Sequence, residues 1–337
     1  MHIQGIGANW AVPVVAKTYF CDKGNSQSLL RQVLEQIKKP NFHIQFVYQL
    51  VENIDTIVAC DPQFASIIYQ KIFQHQEKSN EKTHMGGIVM PMTSTRRQDY
   101  EMCYWLLIRK YNNFLASSPL SAIETMITVL NRIILNSREE FKIRKAAKKE
   151  SFKFRGKEIQ FISDDSYIWD ERDNEDKPIR MATVFFNYLG EQCNKPNNEK
   201  LIGDVLDIFR DNVKVTFFWK RLLIVAANHP EVFHKFLFEL CIARPIQKDP
   251  DTMVELVQFL EATAALYTPD QRLKIEKSIL ALTKHVKGEK ANSYLIECRN
   301  RLLTRIPENL LQTQKARQVR AELKKTGKTI SLSLIHI

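Results

Sequence analysis

Along most of this chain apolar residues recur at spacings of three and four, the interval that gathers them on one face of an α-helix. Ser26 is a capping residue ahead of Leu29, Leu30, Val33, Leu34 and Ile37, a stripe that stops at Lys39-Pro40. Phe42, Phe46, Val47, Leu50, Val51, Ile54 and Val58 predict a second helix over 41–59. Asp61-Pro62 then sets a capping carboxylate before a first-turn proline, opening a helix with Phe64, Ile67, Ile68, Ile72 and Phe73. Residues 76–84 are polar and read as a loop.

A different texture begins at Met85, where Gly86-Gly87 leads into an apolar extended run, Ile88-Val89-Met90. Helices are expected over 95–115 and 119–136 as an antiparallel pair. The helical pattern breaks over 141–157, which is rich in lysine and arginine. Within it Phe152, Phe154, Ile159 and Phe161 alternate around Gly156, the signature of a β-hairpin. An acidic run over 164–176, with Tyr167, Ile168 and Trp169 embedded, follows. Helical spacing resumes over 179–193, 199–211 and 216–227. Prolines punctuate the later starts at His229-Pro230, Asp249-Pro250, Thr268-Pro269 and Pro307. They predict helices over 231–244, 250–267, 269–285 and 307–325, and helical spacing adds one over 290–303.

Short-loop helices in series, with only ten glycines, argue against a sandwich or a doubly wound sheet. The expected fold class is all-α: an irregular helical-repeat (HEAT/armadillo-like) solenoid with a small β-hairpin insertion. The expected divisions are an N-terminal helical part over 1–140, a charged insertion over 141–177, a C-terminal helical part over 178–328 and a tail over 329–337. The first twenty residues show no clear cap or helix pattern and read as an irregular lead-in. The tail ends in Leu-Ser-Leu-Ile-His-Ile, a string that resembles the translation of a common transposase-based sequencing adapter. The natural chain is therefore expected to continue.

With 44% apolar residues the chain has enough material for a sizeable core. Its net charge of +11 permits nucleic acid or another acidic partner but does not demand one. The six cysteines are widely separated and form no CxxC, which excludes a zinc-knuckle or redox-pair spacing and suits a reducing cytoplasm. No apolar run approaches the roughly 18 residues of a membrane-spanning helix, so no membrane partner is expected.

Familiar catalytic spacings fail when tested. Gly327-Lys328-Thr329 lacks the earlier glycine of a phosphate loop, because Glu322 stands there. His229 and His234 are five apart, not the three or four of a helical metal pair, and the 170–176 acids lack the central glycine of a calcium loop. No catalytic, cofactor or metal residue is assigned. Two polar groupings remain. Arg96, Arg97, Gln98, Asp99 and Tyr100 crowd a helix start, where Arg96 and Asp99 at i,i+3 predict an ion pair locking the preceding segment. A ligand or partner site on the same residues is the alternative. The second grouping is basic: Lys145, Lys148, Lys149, Lys153 and Arg155, with Arg317, Arg320 and Lys324 near the C-terminus. As a nucleic-acid patch it would use Phe152, Phe154 and Phe161 for stacking. As a structural feature, its first part would be neutralised by the acidic run that follows.

Four phrases carry a resemblance: MPMTSTRRQDYEMCYW at 90–105, DDSYIWDE at 164–171, FFWKRLLIVAANHPEVF at 217–233 and ARPIQKDPDTMVELVQFLEA at 243–262. Together they resemble the helical region of large bacterial STAND-type NTPases, ATP-binding signalling proteins that include antiviral sensors. The likeness spans most of 61–325 but includes no Walker motif, so ATPase activity does not transfer to this chain. It implies a non-catalytic helical scaffold or sensor arm, with a protein partner or a neighbouring domain of the same chain. The alternative is a stand-alone helical protein that binds nucleic acid through its basic segments.

Overall fold

The computed structural model describes residues 8–39, 42–75, 82–85, 88–91, 95–140, 149–165, 177–284 and 289–325. They are mostly helical, with two small antiparallel hairpins. The chain divides into two compact units, Met1–Ser137 with Arg172–Phe185 and Arg138–Glu171 with Phe186–Ile337.

The first unit holds α1 (Ala8–Lys17), α2 (Lys23–Gln36), α3 (Gln45–Glu52), α4 (Ile54–Cys60), α5 (Pro62–Gln74), α6 (Thr95–Ser117) and most of α7 (Pro119–Glu140). Helix α1 forms where the sequence offered no clear pattern. Val12 and Ala16, one turn apart, are buried on it, as is Tyr19 just past its last turn, and the helix accommodates Pro13. The stripe over 41–59 is two helices rather than one. The ladder breaks at Asn53, whose side-chain amide donates to the Gln49 carbonyl at 2.8 Å. Asp61 caps α5 as its Asp-Pro pair predicted, accepting from the Phe64 N–H at 3.1 Å. The segment read as a loop before Met85 contains a strand. β1 (Lys82–Met85) pairs with β2 (Ile88–Pro91), Met85 opposite Ile88. The core is aromatic, with Tyr69 touching Tyr111 and Phe114 at ring separations of 6.5 and 5.4 Å.

The second unit is built around β3 (Lys149–Phe154) and β4 (Lys157–Ile162), joined by the two-residue turn Arg155-Gly156. Both turn residues have positive φ, 48° and 80°, the requirement of a type I′ hairpin. Period-two alternation buries Phe152, Phe154, Ile159 and Phe161 on one face, where Phe152 and Phe154 meet the fully buried Trp219 edge-on at 5.5 and 5.3 Å. Trp219 lies on α10 (Thr216–Asn228). Past the strand, the Asp164 carboxylate accepts from the Phe217 N–H at 2.9 Å, and the Thr216 hydroxyl donates to the Ile162 carbonyl at 3.0 Å. The hairpin thereby caps the start of α10.

Helices α8 (Arg180–Cys193) and α9 (Glu199–Asn212) precede α10. The single helix predicted over 231–244 is two short ones, α11 (Pro230–Phe233) and α12 (Phe238–Ile242), and a further short helix, α13 (Arg244–Lys248), begins where it was expected to end. The break before α13 falls at the extended Ala243, and Pro245 then occupies the first turn. The Asp-Pro and Thr-Pro caps behave as predicted. α14 (Pro250–Thr263) starts on Asp249, and α15 (Pro269–Ala281) on a Thr268–Gln271 capping box. α16 (Glu289–Arg305) follows, and a short 3₁₀ turn at Glu308–Leu310 precedes α17 (Gln314–Lys325). Among the described residues no helix is long and apolar enough to cross a membrane.

Candidate functional site

The first turn of α6 carries the densest polar grouping in the sequence. The Arg96 guanidinium does not fold back on Asp99. It leaves its helix and donates from one terminal nitrogen to the Ile37 carbonyl at 2.7 Å and from the other to the Phe42 carbonyl. Ile37 follows the last turn of α2 and Phe42 lies in the α2–α3 connection, so these acceptors are carbonyls without a helical partner. A planar, permanently charged fork suits two divergent carbonyls better than an ammonium would. Tyr100 is buried. Its hydroxyl donates to the Ile72 carbonyl at 3.3 Å, and its ring lies 4.7 Å from His75 and 5.2 Å from Tyr104. One turn on, the Tyr104 hydroxyl donates to the His75 carbonyl. Arg96, Tyr100 and Tyr104 thus fasten α6 across the ends of α2 and α5. Arg97 is exposed and pairs with Glu101 at 3.0 Å, while Gln98 and Asp99 face solvent. Among the described contacts, Arg96 and Tyr100 bind the protein's own backbone, and Arg97, Gln98 and Asp99 line the outer face.

The basic grouping divides similarly. Lys145 and Lys148 lie outside the described residues, as does most of the acidic run. Lys149 and Lys153 stand exposed on the outer face of β3. Arg155, at the hairpin tip, donates from its backbone N–H to Glu239, pairs with Asp207 at 2.9 Å and stacks over Phe236 at 6.0 Å. Lys157 pairs with Asp211 at 3.0 Å. Hydrogen bonds from Arg210, then Lys157, hold the Asp211 carboxyl down to about 2. The charges of Arg155 and Lys157 are therefore met by Asp207 and Asp211 of α9, which a local reading of the sequence does not reach. Phe152, Phe154 and Phe161 are buried and present no stacking face.

At the C-terminal end, Arg317 donates to the Leu311 carbonyl at 2.7 Å, and Arg320 to the Ile306 carbonyl beyond the last turn of α16. Lys324 pairs with Glu308. Sequence reasoning missed the acid that positions this helix. Glu276 on α15 is fully buried, and its two oxygens accept from the Gln312 N–H and, both at 2.8 Å, the Thr313 N–H and hydroxyl. It caps α17 from another helix, and nothing in its local sequence signals that.

Among the described residues no group of three or more His, Cys, Asp and Glu side chains is arranged to hold a metal ion. His229 is the N-cap of α11, as its place before Pro230 predicted, and His234 closes that helix with its ring bonded to the Pro230 carbonyl at 3.1 Å. Burial pushes the Cys103 and Cys241 thiols up to about 12, so neither is a thiolate at neutral pH. No protein family, curated protein or solved structure matches the chain.

Proposed function

We propose that this chain is a non-catalytic α-helical scaffold or sensor arm, the solenoid-like part of a larger signalling NTPase of the STAND type, acting through a protein partner or a neighbouring domain of the same polypeptide. The observation that carries this reading is the direction of the polar side chains at the start of α6. Arg96 and Tyr100 bind the protein's own carbonyls and hold three helices in register. A reactive site needs convergent groups aimed at a shared point in a cleft, and these residues diverge. The resemblance of the four phrases to NTPase helical regions supports the family and the cytoplasmic setting that goes with it.

Sequencing the source locus beyond both ends of the chain tests the proposal. An open frame extending upstream into a strand and a phosphate-binding loop is the expected result. Stop codons bracketing the chain would overturn it. The nucleic-acid reading retains Lys149 and Lys153 on the outer face of β3. It predicts that log affinity for duplex DNA falls by about 0.9 per phosphate contact for each decade of salt, and absence of saturable binding at low salt removes it.

A further inference from the structure

In the second unit Lys248 and Asp249 link α13 to α14, and the β-hairpin and α16 both reach this link. Lys248 pairs with Glu150 of β3 at 2.6 Å, and its carbonyl accepts from the Tyr294 hydroxyl of α16 at 2.7 Å. Asp249 is 8% exposed. Its carboxylate caps α14 by accepting from the Asp251 N–H at 3.0 Å, and it hydrogen-bonds Ser163 just past the end of β4. One buried acid therefore touches the hairpin and the first turn of a core helix together.

Two further carboxylates act on Asp249. Asp251 on its own helix and Glu150 on the hairpin are acidic, the Lys248 ammonium is committed to Glu150, and Tyr294 from α16 is neutral. Ionising Asp249 places a carboxylate beside Asp251 and Glu150 at a site that water scarcely reaches. Burial first, then Asp251 and Glu150, push its carboxyl up to about 7, while the Ser163 and Asp251 N–H bonds pull the other way.

We propose that the Asp249 junction is a proton-operated clasp that holds the β-hairpin against α13 and α14 when protonated and loosens it when ionised. The sign follows from linkage. An opened junction returns Asp249 to ordinary aspartate behaviour, so opening becomes more favourable as pH rises from about 4 and levels off above the closed-state value. A junction set near neutrality responds across the range in which cellular pH varies.

Hydrogen exchange on the whole chain, corrected for the intrinsic effect of pH, reads the clasp at the amides of 152–154 and 159–161. The expected result is an opening constant that rises by up to about tenfold per pH unit between pH 5 and 6.5 and levels off above pH 7.5, with no matching slope in the α5 amides of the first unit. Asp249→Asn should remove the slope. Glu150→Gln, which deletes one neighbouring negative charge, should move the levelling point to lower pH, and it keeps the test decisive if Asp249→Asn does not fold. A flat profile in the parent chain, an unchanged slope in Asp249→Asn, or an unmoved levelling point in Glu150→Gln would each overturn the proposal.

Discussion

Asp61 and Asp249 occupy the same local motif and titrate in opposite directions. Each is a buried aspartate preceding a proline, and each caps the helix that the proline opens. Around Asp61 the neighbours are donors. The Tyr19 hydroxyl lies at 2.8 Å, the Lys23 ammonium at 3.1 Å and the Gln27 amide at 3.3 Å, besides the Phe64 N–H. Burial alone would raise its pKa, but Tyr19, Lys23 and Phe64 outweigh it and the carboxyl sits below the usual range. Around Asp249 the second partner set is acidic, and burial prevails. A sequence motif fixes what a side chain does to its own helix, and distant packing decides which protonation state does it.

The two caps therefore respond to acid in opposite senses. Asp61 stabilises the first unit above ordinary aspartate pH, and that contribution is lost as pH falls through its lowered value. Asp249 contributes most to the second unit at low pH and loses that contribution as pH rises toward 7. The largest test is Asp61→Ala, which removes the cap and strands the buried Tyr19 hydroxyl. It should lower the unfolding free energy of the first unit by about 2–4 kcal/mol in a denaturant titration. Next, Asp249→Asn should stabilise the second unit at pH 8 by about 1–3 kcal/mol, reduced from an upper bound near 4 by local relaxation. That advantage should shrink as pH falls from 7 to 4. Smallest is Lys23→Ala: the lysine side chain is 59% exposed, so the loss should be under about 1 kcal/mol and fade at high salt. A large, salt-insensitive loss there would mean that Asp61 depends on charge more than on its hydroxyl and backbone donors.

Much of the helical outline was legible because caps and prolines are local signals. Asp61-Pro62, Asp249-Pro250 and Thr268-Pro269 each started a helix as predicted, and Arg155-Gly156 formed the turn that Phe152 to Phe161 implied. The helix boundaries departed from the periodicity where a local break interrupted the apolar stripe. Asn53 split one apolar stripe into two helices, and a turn between Phe233 and Phe238 divided another. The candidate cluster was legible as a place but not as a set of bonds. Spacing offers Arg96 the nearby Asp99, whereas folding brings it the carbonyls of Ile37 and Phe42, more than fifty residues away. Glu276 shows the same principle more strongly, since its partners at Gln312 and Thr313 lie a full helix beyond it.

That the polar cluster at the start of α6 serves the fold is tested most directly by paired thermal melts of Arg96→Ala and Arg97→Ala. Arg96→Ala strips two carbonyls of a charged donor and should cost about 2–4 kcal/mol, a drop of several degrees in Tm. Arg97→Ala removes an exposed i,i+4 pair and should stay within about 0.5 kcal/mol of the parent. An Arg96→Ala chain that melts with the parent would contradict the account and return the cluster to the search for a ligand.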